Sequence, residues 1–248
     1  MRDRPLARRR ILLPQRWSDA LESALVEAGA QVDEVQLLDR RPVANPALHV
    51  LPGRIRAGEV DWLVITSAFT TVALRELGHP LAALCPDGLG LAAVGPTSAA
   101  AVRGETGRTP LQPAQGTGGA ALAATLPEGP GVIAVPGACH PAPALRTALA
   151  GRGWQVEEIG IYRTLPVDSS SIDPALRRDW QAGRYDALVV TAASVASAAA
   201  TLLGTAGPVV AIGEASARAA AQAGFPRVAT APSAAACDLV AALAGFLN

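Results

Sequence analysis

Lysine is absent from the chain: all 21 basic residues are Arg, set against 21 acidic ones. Schiff-base enzymes, pyridoxal-phosphate enzymes and standard P-loops each need a lysine amine, so those chemistries are excluded. Cysteine is scarce. Cys85, Cys139 and Cys237 are odd in number, far apart and without CxxC spacing, so no disulfide framework is expected. Cys139-His140 is the only adjacent pair of soft ligands, and His49 and His79 have no cluster at useful spacing, so no metal is expected. Four Trp, three Phe and two Tyr, with zero net charge, argue against a nucleic-acid partner. No apolar run reaches about 18 residues, which argues against a membrane span. A reducing, cytoplasmic setting fits this composition.

What is present is half apolar, over 248 residues. That length accommodates one large domain or two modest ones. The first ten residues hold five Arg and read as a solvated, frayed tail. Beyond them, short apolar runs alternate with Ala/Leu-rich stretches of helical length. Strands are expected at 11–13, 32–38, 62–66, 91–94, 109–111, 132–135, 156–162, 187–191, 209–212 and 227–229. Helices are expected at 18–28, 69–77, 98–103, 119–126, 142–150, 194–203, 215–223 and 234–246. Continuously apolar strands of this kind are buried on both faces of a parallel sheet. The rhythm therefore predicts an α/β protein.

The sequence also repeats itself. Asp61-Trp-Leu-Val-Ile-Thr66 returns 125 residues later as Asp186-Ala-Leu-Val-Val-Thr191. Val94-Gly95-Pro-Thr-Ser98-Ala99 returns as Ile212-Gly213-Glu-Ala-Ser216-Ala217. The opening segment, 11–43, has its echo at 132–167, giving the order a, b, a, b with about five strands per half. Two cuts are compatible with that order. One makes sequential domains near 1–125 and 126–248. The other pairs the first segment with the last, and the chain then crosses between domains at 36–43 and 160–167.

In open parallel sheets, ligands bind beyond the carboxyl ends of strands, against helix N-termini. The strand ends here are small, polar and glycine-rich: Thr66-Ser67, Gly95 to Ser98, Gly116 to Gly119, Gly137, Thr191 to Ser194, Gly213 and Pro232-Ser233. Exposed backbone amides and the helix dipole suit such turns to anions. One such turn is most often a simple helix cap, but the recurrence points to a large ligand carrying several negative charges. Gly116-Thr-Gly-Gly119 fails the GxGxxG spacing, and no GxSxG or nearby His activates Ser67, Ser194 or Ser216. Glu157 and Glu158 are adjacent in a strand and point to opposite faces, so they cannot share a proton. Tyr162 stands at one of the suspected crossings. Arg16, Arg146, Arg163 and Arg218 lie near strand ends or first helical turns, where Arg recognises carboxylates or phosphates.

These residues resemble the uroporphyrinogen-III synthase family. The resemblance rests on the ordered set Asp61 to Ser67, Val94 to Ala99, Gly153-Trp-Gln-Val-Glu-Glu-Ile-Gly-Ile-Tyr-Arg-Thr-Leu-Pro166, Ala187 to Thr191 with Ser194, and Ala211 to Ala217. It covers about residues 10–246. The resemblance implies two flavodoxin-like parallel-sheet domains joined by a two-stranded β ladder. They would comprise 1–37 with 168–248, and 43–160 as the inserted domain, with linkers 38–42 and 161–167, an active-site cleft between domains and hinge motion.

It also implies a cofactor-independent lyase that closes linear hydroxymethylbilane, a polycarboxylate, into uroporphyrinogen III. The last ring is inverted and water is lost, as a step of haem biosynthesis. Tyr162 would be the general acid for hydroxyl departure. Thr66, Ser67, Gly95, Thr97, Ser98, Gly137, Thr191, Ser194, Gly213, Ser216 and Arg16 would hold substrate carboxylates. Phe69 stands where the family commonly has Asn or Arg, and Ala192-Ala193 replace Ser-Pro. The expected partners are the small-molecule substrate and a transient handover from hydroxymethylbilane synthase, with the chain a monomer. The competing reading is a non-catalytic two-lobed binding protein for an anionic small molecule, which would be indifferent to Tyr162.

Overall fold

Short aliphatic runs, too brief to present a helical face, form strands buried on both sides. The structure is a computed structural model that describes residues 4–15, 19–116 and 118–247. The first stretch of chain carries β1 (Arg10–Pro14), α1 (Asp19–Glu27), β2 (Gln31–Val35) and β3 (Leu38–Pro42). The second carries α2 (Pro46–Arg56), β4 (Trp62–Ile65), α3 (Phe69–Glu76), α4 (Leu81–Leu84), β5 (Gly90–Ala93), α5 (Pro96–Thr106) and α6 (Gly119–Thr125). The third carries β6 (Gly131–Ala138), α7 (Ala144–Ala150) and β7 (Trp154–Pro166). The fourth carries α8 (Pro174–Gln181), β8 (Ala187–Val190), α9 (Ala193–Leu202), β9 (Val209–Ala211), α10 (Glu214–Gln222), β10 (Val228–Thr230) and α11 (Ala236–Leu247).

The chain divides into two compact units, Met1–Asp39 with Leu165–Asn248, and Arg40–Thr164. The first unit holds a sheet in the order β10-β9-β8-β1-β2, parallel throughout. Numbered within the unit, that is the 2-1-3-4-5 order of flavodoxin-like sheets. The second unit's sheet runs β3-β7-β6-β4-β5, and Leu111 adds a parallel bridge to Ala92 beyond β5. Leaving β3 aside, both sheets follow one plan: a strand-helix-strand pair read backwards, then a three-strand segment read forwards. The repeat in the sequence is this plan, with its parts exchanged. The first segment of chain completes its sheet with the fourth, and the second with the third.

The repeated aspartates make the same joint in each unit. Asp61 Oδ2 accepts from Val132 N at 2.8 Å while Asp61 N donates to Val132 O at 2.9 Å. Asp186 Oδ2 accepts from Arg10 N at 2.8 Å while Asp186 N donates to Arg10 O at 2.8 Å. Each carboxylate satisfies an amide at the start of the neighbouring strand, where the ladder would otherwise leave a donor unpaired. Along β1 the side chains alternate between two cores: Ile11 and Leu13 pack with Leu21, Val189 and Leu239, and Leu12 packs with Trp180, Leu188 and Val190. The second unit is layered likewise, with Leu63 and Ile65 on one face and Val64 and Ile133 on the other.

Several elements differ from the sequence expectation. The apolar run at 32–38 is two strands, because β2 ends at Val35 and β3 begins at Leu38. Val43 N donates to Ile161 O and Val167 N to Leu37 O, so the chain around β3 runs antiparallel to β7 as a two-stranded ladder. The expected strand at 109–111 shrinks to the Leu111 bridge. Helices α2 and α8 were not anticipated, although Asn45-Pro46 and Asp173-Pro174 cap them and start them with proline. The basic N-terminal stretch is not a solvated tail from residue 4 onward. Leu6 is fully buried and donates its N–H to Ala28 O, and Arg9 pairs with Asp186 at 2.9 Å.

Candidate active site

A parallel sheet places all its strand C-termini, and the helix N-termini that follow them, along one edge. In the second unit that edge carries Thr66-Ser67 after β4, Val94-Gly95 after β5, Gly137-Ala138 at the end of β6, and Tyr162 late in β7. Ser67 Oγ accepts from Phe69 N at 3.2 Å in the turn that leads into α3. Thr66 and Gly137 are neighbours across β4 and β6: a Cβ at Gly137 would lie 3.4 Å from Thr66 Oγ1. Helix α5 has no side-chain cap. Gly95 precedes it in extended conformation and Pro96 occupies its first turn, which leaves the amides of Thr97 and Ser98 as first-turn donors without an intrahelical acceptor. Thr97 is exposed, whereas the Ser98 side chain is buried.

Tyr162 is aimed by a bulge. Gly137 pairs with Gly160, but Ala138 pairs with Tyr162, so one extra residue of β7 is accommodated there. Bulges bend a strand and re-aim its side chains. Gly160 is required at this point, since a Cβ would sit 2.9 Å from the Cys139 Cα. Cys139 N in turn donates to Tyr162 O at 2.8 Å. The Tyr162 ring is buried, and Phe69 meets it in a T-shaped contact, with centroids 5.1 Å apart and planes at 82°. Its hydroxyl makes no hydrogen bond to any described residue. Arg40 lies over Phe69, its Cζ 5.7 Å from the ring centroid.

The first unit presents a parallel set of turns. Thr191 follows β8, and Ser194 is exposed in the first turn of α9, which lacks a side-chain cap. Gly213 precedes α10 in extended conformation, also without a side-chain cap. Ser216 is buried there as Ser98 is in α5. Glu214 puts a carboxylate of its own into the first turn of α10, 3.9 Å from Arg218. Arg16 lies outside the described residues.

The other candidate groups have structural partners. Glu157 takes a bidentate contact from Arg54 at 2.5 and 3.0 Å, which holds its carboxyl below the usual range. Glu158 faces Arg146 at 3.8 Å. The pair thus serves two separate helices, α2 and α7. Arg163 is exposed and has no partner among the described residues. Tyr185 donates to Asp33 at 2.9 Å beneath the Arg10 guanidinium, and burial, then Asp33, pushes its phenol well above the ordinary value. Burial pushes the Cys85 thiol up to about 11 against the opposing pull of Arg108. All three cysteines are free. Among the described residues no group of three or more His, Cys, Asp or Glu converges to hold a metal.

Arg40 and the β7 bulge escaped sequence reading, and Phe69 drew notice only as a departure from the family pattern. Gly160 within Ile-Gly-Ile-Tyr was the available signal for the bulge.

Comparison with known proteins places this geometry. The family model for "Uroporphyrinogen-III synthase HemD" matches residues 19–241. A mutant uroporphyrinogen III synthase from the extremely thermophilic bacterium Thermus thermophilus is 25% identical, covering 96% of this chain and 97% of that one, with a TM-score of 0.53. The uroporphyrinogen-III synthetase of Helicobacter pylori 26695 is 13% identical, covering 94% of this chain and 97% of that one, and shares the fold with a TM-score of 0.64. No curated protein matches the chain at a significant level. With a family model spanning most of its length, the chain belongs to the uroporphyrinogen-III synthase family.

Proposed function

We propose that this protein closes linear hydroxymethylbilane to uroporphyrinogen III, inverting the last pyrrole ring, with Tyr162 as the general acid. The observation that carries the reading is the family match over residues 19–241. The cyclising role in haem biosynthesis is that of the family, and the chain's own residues supply a consistent division of labour. The phenol of Tyr162, set by the bulge at the carboxyl edge of its sheet, gives its proton to the departing hydroxyl, which leaves as water. The electron-poor azafulvene that remains is attacked by the substituted carbon of the terminal ring. The resulting spiro intermediate fragments and recloses with that ring inverted. The proton lost as the ring recovers aromaticity returns to the Tyr162 oxygen, so the enzyme ends as it began.

Substrate carboxylates are held by first-turn amides and small side chains. Gly95, Thr97 and the Ser98 amide serve at α5, Thr66, Ser67 and Gly137 beside it, and Thr191, Ser194, Gly213 and the Ser216 amide serve at α9 and α10. Uncapped helix N-termini offer donors already oriented toward an anion, which suits a flexible polycarboxylate that must be held in one geometry. Action as a monomer in the cytoplasm, receiving the bilane directly from hydroxymethylbilane synthase, belongs to the same proposal. The three free thiols are in keeping with a reducing compartment.

The test is an isomer assay. Hydroxymethylbilane is generated in situ by its synthase, this protein is added at catalytic concentration, and the oxidised products are separated chromatographically. Predominant type III uroporphyrin is expected. Type I alone, with folded protein, would leave the binding-protein reading.

A further inference from the structure

We propose that Arg40 is a substrate-binding residue, a fixed cation that takes a carboxylate of the tetrapyrrole beside Tyr162, and that Phe69 positions both groups. The inference rests on the function proposed above and adds a side chain to its site. Three observations meet here. First, the ladder bonds Leu37 to Val167 and Val43 to Ile161 set an antiparallel register in which Pro42 faces Tyr162 and Arg40 faces Thr164. Residues two apart share a face of a strand, so Arg40 is the diagonal same-face neighbour of Tyr162, about 7–8 Å away by backbone geometry. Second, Phe69 neighbours both groups: its ring makes the T-shaped contact with Tyr162, and the Arg40 guanidinium carbon lies over it, 5.7 Å from its centroid. Third, Arg40 is exposed and no carboxylate pairs with it among the described residues. By contrast, Arg54, Arg75 and Arg146 in the same unit each have an acidic partner.

A guanidinium held over an aromatic face by a cation–π attraction keeps its N–H donors free for bidentate carboxylate recognition. The same ring restrains the phenol by its edge contact. Phe69 is therefore a positioning residue for an acid on one side and for a cation on the other. The cation takes part in binding and the acid in bond cleavage, so the two effects separate in steady-state kinetics.

The experiment measures kcat and KM for type III product from in-situ hydroxymethylbilane. Arg40→Gln raises KM about tenfold, the loss of one charge-assisted hydrogen bond, with kcat changed less than about threefold. Arg40→Lys, which keeps the charge without the planar fork, recovers part of the loss. Phe69→Leu lowers kcat about tenfold and raises KM less than Arg40→Gln does, and Phe69→Tyr, an aromatic replacement, restores kcat. Arg103→Gln, at the far end of α5, controls for net charge and leaves KM unchanged. A KM for Arg40→Gln equal to that of Arg103→Gln overturns the carboxylate contact. A kcat for Phe69→Leu equal to wild type overturns the positioning role. Failure of the wild-type protein to make type III product overturns the underlying function instead, so the two failures are told apart.

Discussion

The two units are built on one plan and used differently. Each joins a strand pair to a three-strand segment in the same order, and each seals that joint with an aspartate, Asp61 in one and Asp186 in the other. Each also carries one of the chain's two tyrosines. Tyr185 is engaged by Asp33 and Arg10 next to the start of β1, its hydroxyl donating to Asp33. Tyr162 comes at the opposite, carboxyl end of its sheet, on a bulge, with its hydroxyl uncommitted to described residues. The duplicated features are those that assemble a sheet and shape the turns at its carboxyl edge. The feature proposed for chemistry occurs once.

The sharpest way to break that contrast is to remove each phenol in turn. Tyr162→Phe lowers type III turnover about 100-fold, the scale of a lost general acid, with stability nearly unchanged. Tyr185→Phe leaves turnover intact and costs about 1 kcal/mol in denaturant unfolding, because one half-buried hydrogen bond goes. Turnover of Tyr162→Phe at the wild-type rate would remove this residue from the mechanism.

Packing separates the units next. Gly207 and Gly90 each abut a tryptophan, and a Cβ would lie 2.6 Å from the Trp180 ring in one case and closer still to the Trp62 ring in the other. Trp180 is completely enclosed, whereas Trp62 is only half-buried and can give way. Gly207→Ala therefore costs about 2–3 kcal/mol and Gly90→Ala about 1 kcal/mol, measured by urea unfolding. Equal costs would mean that the two rings have the same freedom.

The aspartate joints give a smaller difference. Asp186→Ala removes the strand amide's acceptor and the partner of Arg9, for about 2 kcal/mol, and Asp61→Ala removes the amide's acceptor alone, for about 1 kcal/mol. Hydrogen exchange followed by mass spectrometry should find lost protection in peptides of β1 and β8 for the first variant, and of β4 and β6 for the second.

The smallest effect is titration. The Tyr185 phenol is raised in the folded state, so its contribution is complete below the unfolded value near 10 and declines as pH rises past it. The melting temperature of wild type should fall more steeply between about pH 10 and 11 than that of Tyr185→Phe. Carboxylates run the other way: Glu157, lowered by Arg54, stabilises above the ordinary carboxylate value and loses that contribution as pH falls. Glu157→Gln should flatten the acid limb of the same profile.

Strand positions were legible because doubly buried strands are continuous apolar runs, as at Leu63–Val64–Ile65 and Ala187 to Val190. Helix α2 was hidden by Pro52 and Gly53 inside it, although Asn45-Pro46 announced its start. The break between β2 and β3 was invisible because Leu37, buried in the turn, prolongs the apolar pattern. The places of Tyr162, Thr66 and Gly95 at the carboxyl edge of the second unit's sheet were readable from their motifs. The Phe69 contact and the Arg40 register were not, since both depend on which strand flanks β7, a long-range fact no local window contains. Ser98 and Ser216 stand in first helical turns, as the sequence suggested, but helical phase turns their side chains inward.

The exchange of segments between the two sheets also sets a clock. β1 and β2 are complete by Val35, yet the strand that covers the open side of β1 begins only at Ala187. At ribosomal speeds of about 5–20 residues per second, that interval is roughly 8–30 s. Meanwhile Arg40–Thr164 holds all its own strands and can close as soon as it emerges. The nascent chain thus matures from the inside outward, with Ile11, Leu12 and Leu13 paired to β2 alone until β8 emerges in the last third of translation.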